Sequence, residues 1–314
     1  MNPGGDSSTV ALTFGSTAPG AISADQGIAR ILGRFHDAND PHVLVVAHRG
    51  GYLSERGEIL PENSMPAIER SIAGGAEILE IDVRPTRDGH LVLMHDKTVT
   101  RTTTGRGAVA SLSLTEIRAL HLRDADGVAT SLRVPTFAEV MLRAKGEVMV
   151  NLDKLDFTNP AVLGEAIRVL QDTDTLDHAL FKGSAPASAV KEALSSRPEI
   201  IHYMPVFTDT TDKMVLSVME TLRPPAVELI FSKASTPMLG PEVLAKARQY
   251  GCRIWVNSLW PHLNGGHHDA MAIRGNPDLA WGWIIGKGAK IIQTDYPAEL
   301  AAYLQRLGKQ GQQG

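Results

Sequence analysis

The sequence predicts a (β/α)8 TIM barrel with a small antiparallel strand insertion after the second barrel strand, on three observations. From Ala24 onward, short apolar runs alternate with segments of helical period. The principal apolar runs end near residues 47, 83, 153, 181, 206, 230, 257 and 294, the count that such a barrel requires. His48, Glu80, Asp82, Asp153, Lys182, Asn257 and Asp295 all stand at or near the ends of those runs. Barrel enzymes keep their reacting groups at the C-terminal ends of the strands, so strand count and polar placement support each other.

A leading helix over 24–36 is marked by Ile28, Ile31 and Leu32 at helical spacing. Val43 to Ala47 is an apolar strand ending in His48 and Arg49. After the polar loop Pro61-Glu62-Asn63-Ser64, Pro66 lies near a helix start, where its missing N–H costs little. Gly74-Gly75 stops that helix, and a strand over 79–83 follows. The turn at Asp88-Gly89 sets the strand ending at His95 antiparallel to it. Downstream, strands over 147–153, 179–182, 200–206, 227–231, 253–258 and 290–294 alternate with helices over 160–172, 188–196, 209–222, 241–250, 268–274, 277–286 and 297–307. Residues 1–23, rich in Gly, Ser, Thr and Ala, are expected to form a flexible arm, and 309–314 a flexible tail. A single domain over 24–308 lies between them.

With 43% hydrophobic and 21% charged residues among 314, the composition is that of a globular chain. A net charge of -4 argues against a nucleic-acid partner. No stretch approaches the ~20 apolar residues of a membrane span, so no integral membrane association is expected. The single Cys252 excludes an internal disulfide framework. The N-terminus lacks a basic n-region and an apolar core, which makes the cytoplasm the default location. Secretion or a periplasmic site would follow if the arm were a processed remnant. Oligomeric state is left open.

Glu80 and Asp82 are two apart on one strand and therefore share a face, with Leu79, Ile81 and Val83 on the other. Two converging carboxylates repel unless a cation lies between them, which suits a hard divalent ion. The competing reading is an exposed face making surface ion pairs. His48 and His95 both end apolar strands, and imidazole titrates near neutrality, so the pair suits proton transfer. Arg49 carries a fork matched to phosphate or carboxylate. The other histidines lack such context, and the cluster His262, His267 and His268 is taken as a solvated loop.

Ala47-His48-Arg49-Gly50, Pro61-Glu62-Asn63-Ser64, Glu80-Ile81-Asp82-Val83, Asp88-Gly89 and His95-Asp96 together resemble the signature of the glycerophosphodiester phosphodiesterase family. Its members are barrel phosphodiesterases like phosphatidylinositol-specific phospholipase C. Arg101-Thr102-Thr103, Gly105-Arg106-Gly107 and Gln293-Thr294-Asp295-Tyr296-Pro297 continue the likeness, which spans about Val43 to Leu304. The resemblance implies a metal-dependent hydrolase that splits glycerophosphodiesters into sn-glycerol 3-phosphate and an alcohol. His48 and His95 would be the acid and base, and Glu80, Asp82 and Asp153 the ligands of one divalent ion, Mg²⁺, Ca²⁺ or Mn²⁺. The family's third carboxylate is usually Glu in an Asn-x-Glu-x-Lys-like run, whereas this chain has Asn151-Leu152-Asp153-Lys154.

The lysine departs from the pattern. Adjacent Asp153 and Lys154 would face opposite sides of a regular strand. Either the strand breaks after Asp153, or Lys182 on the next strand supplies the phosphate-binding cation. Trp255 and Asn257 share parity and, with Trp260, could face substrate, while core packing competes for Trp255. Glu62 and Asn63 are expected to support the metal from behind. Two other readings remain: a related phosphodiesterase of phospholipase C or D type acting on a lipid, inositol or sugar diester, and a catalytically inactive barrel that binds phosphorylated ligands. The loops over 123–133 and 260–269 would decide among head groups.

Overall fold

β1 (Leu44–Ala47) is buried along its whole length, as a strand covered on both faces must be. It pairs in parallel with β2 (Ile78–Pro85) on one side and with β8 (Ile291–Thr294) on the other. Between them follow β3 (Met149–Asp153), β4 (Ala179–Gly183), β5 (His202–Phe207), β6 (Ala226–Leu229) and β7 (Arg253–Asn257), each parallel to its neighbours. The eight strands close on themselves, and helices run between successive strands. The predicted (β/α)8 barrel is the observed fold. The computed structural model describes residues 24–54, 59–195 and 201–310. The expected arm over 1–23 and the last four residues of the expected tail lie outside the described residues.

The leading helix occupies Ala24–His36, with Ile28 and Ile31 buried against the barrel. Leu91–Leu93 pairs antiparallel with β2, Val83 opposite Leu93, across the Asp88-Gly89 turn. A second antiparallel pair, His121–Arg123 with Ala129–Arg133, falls in the stretch expected to be a loop. The insertion has a small core of its own, with Val92, Met94, Val99, Ile117, Leu122 and Val134. That core gives His95 a firm base outside the barrel wall.

Most strand ends shift by one to two residues from the sequence reading, and three helices differ more. The helix expected over 209–222 opens as a 3₁₀ turn, Asp212–Met214, before Val215–Leu222. The one over 277–286 opens as a π turn, Asp278–Gly282, before Trp283–Gly286. The last helix, Pro297–Gln310, runs through Gly308 into the expected tail.

The closed end of the barrel is tied by Arg253, at the start of β7. Its guanidinium donates to the carbonyls of Arg34 (2.6 Å) and Asp37 (2.8 Å), and to those of His42 and Lys290. A cation at the end of the leading helix also complements the helix dipole. Replacing Arg253 by Met takes this donor from the His42 carbonyl and a second donor from those of Arg34, Asp37 and Lys290, which also accept the N–H groups of Asp37, Asp40 and Leu44. A buried unpaired polar group costs ~1–3 kcal/mol. Urea denaturation of Arg253→Met should show a loss of about 3 kcal/mol. A loss below ~0.5 kcal/mol would show that the carbonyls find other partners.

Candidate active site

At the end of β1 the chain turns sharply through His48–Gly50. Arg49 (φ 49), Gly50 (φ 77) and Gly51 (φ 75) are all left-handed. A Cβ on Gly51 would meet Ser71 Oγ at 2.0 Å, so glycine is required there on two counts. The turn aims the Arg49 backbone N–H at Glu80 Oε2, 2.8 Å away. It also buries His48, whose Nδ1 lies 2.7 Å from Asp295 Oδ1. Ala47 of β1 stands in register with Thr294 of β8, so the next residues of the two strands meet. Burial alone would lower the His48 pKa. The hydrogen bond and charge of Asp295, helped by Glu80, outweigh it and leave the pKa raised.

β2 delivers Glu80 and Asp82 to the same face, and β3 sets Asp153 directly opposite Asp82. Oxygen atoms of these three carboxylates lie within 4.8 Å of one another. Asn63 brackets Asp82, donating Nδ2 to Oδ2 at 2.8 Å and accepting the Asp82 backbone N–H at 3.1 Å. Burial, followed by the charge of Asp82, pushes Glu80 up to about 7. Burial also works to raise Asp153, but Lys182 and Lys154 overcome it and hold this carboxyl well below the usual range. An all-oxygen set with surplus negative charge fits a hard divalent cation such as Mg²⁺ or Ca²⁺.

Lys154 and Lys182 both reach Asp153. β3 ends at Asp153, and Lys154 turns left-handed (φ 58). Lys154 thereby returns to Asp153, with its N–H 2.6 Å from Oδ1 and Nζ 3.0 Å from Oδ2. Lys182 reaches the same carboxylate from β4, Nζ to Oδ2 3.3 Å, and lies 3.3 Å from Glu228 Oε2. The Lys182 side chain is 6% exposed and that of Lys154 31%, so Lys182 is the interior cation. Burial works to lower the Lys182 pKa, but Asp153, Glu228 and Glu80 raise it.

Glu228, on β6, also accepts from Asn257 Nδ2 at 2.7 Å, while Asn257 Oδ1 accepts from Trp255 Nε1 at 2.8 Å. Trp255 is fully buried in the core, so no part of its ring is open to a substrate. Trp260 is 40% exposed and meets the His48 ring edge to face, centroids 5.7 Å apart. It is therefore the indole placed to touch a ligand near His48.

His95 is joined to this site by a chain of ion pairs. Its Nδ1 lies 2.8 Å from Asp96 Oδ1. Arg101 donates Nε to Asp96 Oδ2 at 2.8 Å and pairs with both oxygens of Glu62, at 2.8 and 2.9 Å. Glu62 in turn accepts from Arg49 at 2.9 Å. Glu62 and Asn63 thus stand behind the first turn, Glu62 on Arg49 and Asn63 on Asp82. Arg101, Asp295 and Glu228 carry parts of the site that this reading gave no role. Asp295 does stand at a strand end, but its partnership with His48 spans 247 residues and forms only where the barrel closes.

Behind Asp295 lies one more buried carboxylate, Asp269, pushed up to about 7 by burial and then by the charge of Asp295.

Two histidines with carboxylate partners, three converging carboxylates and the cations Arg49 and Lys182 are thus gathered on a closed (β/α)8 barrel. Residues 48–179 match the glycerophosphoryl diester phosphodiesterase family. Residues 203–304 match a domain of unknown function. A glycerophosphodiester phosphodiesterase of Caldanaerobacter subterraneus subsp. tengcongensis is 40% identical over 112 residues, 35% of this chain and 44% of that protein. The chain spans less than half the length of the curated relatives it matches.

Among solved structures, a glycerophosphoryl diester phosphodiesterase from Parabacteroides distasonis aligns with a TM-score of 0.70 and 23% identity, over 90% of this chain and 92% of that one. A phosphodiesterase of Oleispira antarctica, solved with the product sn-glycerol-3-phosphate, aligns with a TM-score of 0.63 and 18% identity, over 85% and 99%. At these identities the two structures establish the shared fold.

Proposed function

We propose that this chain is a metal-dependent phosphodiester hydrolase that cleaves glycerophosphodiesters to sn-glycerol 3-phosphate and an alcohol. One observation carries the reading: the Asp295-braced His48 and the Glu80–Asp82–Asp153 cluster share the C-terminal rim of the barrel. The family match over residues 48–179 and the product bound to the Oleispira antarctica neighbour support the choice of substrate.

With Nδ1 of His48 engaged by Asp295, and Nδ1 of His95 by Asp96, the Nε2 atoms are left for chemistry. One imidazole takes a proton from the attacking hydroxyl or water. The other gives a proton to the departing alkoxide, so the pair ends with its proton count unchanged. Arg49 and Lys182 supply fixed positive charge for the phosphoryl oxygens, with Lys154 at the rim beside them. Trp260 packs against the alcohol portion, and Asn257 holds Glu228 and thereby Lys182. Glu80, Asp82 and Asp153 would hold the divalent ion, which when bound supplies Lewis-acid stabilisation of phosphoryl charge.

The test is a panel of glycerophosphodiesters, lysophospholipids and inositol phosphodiesters offered to the full chain with and without chelator. Release of glycerol 3-phosphate, abolished by EDTA and restored by Mg²⁺, Ca²⁺ or Mn²⁺, is expected. Turnover confined to lysophospholipids or inositol diesters would move the activity to phospholipase-type substrates. No turnover with any of the three metals would leave a ligand-binding barrel.

A further inference from the structure

The segment between β7 and β8 contains a buried carboxylate that touches neither the carboxylate cluster nor the open mouth. Asp269 is 2% exposed and begins the short helix Asp269–Ile273. Four groups donate to it. Ser258 Oγ (2.5 Å), Trp281 Nε1 (2.9 Å) and Thr294 Oγ1 (2.9 Å) reach Oδ1, and the Asp295 backbone N–H (2.8 Å) reaches Oδ2. The Asp269 N–H donates back to the Ser258 carbonyl at 2.6 Å. The end of β7, the end of β8 and the helical segment carrying Trp281 are therefore gathered on one carboxylate.

We infer that Asp269 is a positioning residue for His48, acting through the backbone of Asp295, an inference that rests on the acid–base reading above. Oδ2 anchors the Asp295 N–H and Oδ1 the hydroxyl of Thr294, so the Asp295 peptide is held from both sides. The Asp295 carboxylate is then presented to His48 Nδ1 at 2.7 Å. A side chain serving only to fill space here would be apolar, because burying an isolated carboxylate is expensive. Four donors converging on one group need an acceptor on every side, and a carboxylate supplies that. An asparagine in its place turns an NH₂ toward at least one of those donors.

The consequence falls on the His48 tautomer. Asp295, together with the charges of Glu80 and Arg49 that also act on this ring, makes up its electrostatic surroundings. Of these, Asp295 alone accepts from Nδ1, and so keeps the proton there and Nε2 bare for the reaction. If the Asp295 peptide loosens, the Nδ1 contact lengthens and the ring relaxes toward the Nε2–H form.

The test compares full-length wild-type protein with Asp269→Asn in two readouts. Nitrogen-15 histidine spectra, with His48 assigned through His48→Gln, should show a shift from the Nδ1–H toward the Nε2–H tautomer. Steady-state kinetics on a glycerophosphodiester should show kcat lowered ~10–100-fold with KM within about threefold, the range for residues acting through a neighbour. An unchanged tautomer and unchanged kcat in Asp269→Asn would overturn the inference. Should Asp269→Asn not fold, Trp281→Phe removes a single donor and should shift the same resonance in the same direction; no shift would equally overturn it. The tautomer is read without turnover. A wild-type chain inactive on every diester would therefore defeat the functional reading and leave this test standing.

Discussion

Replacing His48 by alanine is expected to lower kcat for glycerophosphodiester cleavage by ~10²–10⁴-fold, with a like effect from His95→Ala. The argument rests on what each ring can do from its place. His48 is buried, its Nδ1 is committed to Asp295 at 2.7 Å, and its pKa is raised against the pull of burial. Its orientation is therefore fixed while Nε2 is left to take up or give a proton. His95 is committed through Nδ1 to Asp96 at 2.8 Å, and Arg101 clamps Asp96 to Glu62. A proton-transfer residue acts on the reacting bond rather than on ground-state binding, so KM should move far less than kcat. Steady-state kinetics on both variants, with circular dichroism to verify folding, decide the matter. Near-normal kcat in both would remove the acid–base assignment, while a loss in one alone would leave a single proton-transfer residue.

The barrel and the carboxylate pair at its mouth are legible in the sequence because they depend on local pattern. Leu79-Glu80-Ile81-Asp82-Val83 declares its two faces by alternation, and the structure sets both carboxylates on the inner one. The strands buried on both faces announce themselves as continuous apolar runs. What escaped is non-local or unpatterned. The His48–Asp295 bond crosses the seam where β1 meets β8. The hairpin at Ala129–Arg133 is half exposed and carries one large apolar residue, Leu132, too little for a strand signal. Asp269 lies at the start of a short expected helix that gives no sign of its partners, and its value lies in four donors from separate parts of the chain. Lys154 was open to two readings because parity holds only while the strand continues. One left-handed residue after Asp153 ends it.

That same turn makes the two lysines separable by stability. Lys182→Met is expected to cost ~3–5 kcal/mol of unfolding free energy, the usual effect of removing one partner from a buried ion pair. The change leaves Asp153 Oδ2 and Glu228 Oε2 without the ammonium that lies 3.3 Å from each, and it leaves Glu80 nearby without its charge. Lys154→Met removes a partner from the same Asp153, but from a side chain 31% exposed, where water screens the loss, and ~0–1 kcal/mol is expected. Because the folded-state pKa of Lys182 is raised, its contribution is fully present below the unfolded value of ~10.4 and fades only as pH rises through the folded one. Lys182 itself therefore stays charged in urea melts at pH 7 and 8 alike, so the comparison is made at one pH. Equal costs for the two substitutions would mean that Lys182 is no more buried in solution than Lys154, and the cation facing the phosphate would have to be reassigned. Adding Mg²⁺ or Ca²⁺ should restore more stability to Lys182→Met than to wild type, since a divalent charge among Glu80, Asp82 and Asp153 relieves the repulsion that the missing ammonium leaves behind.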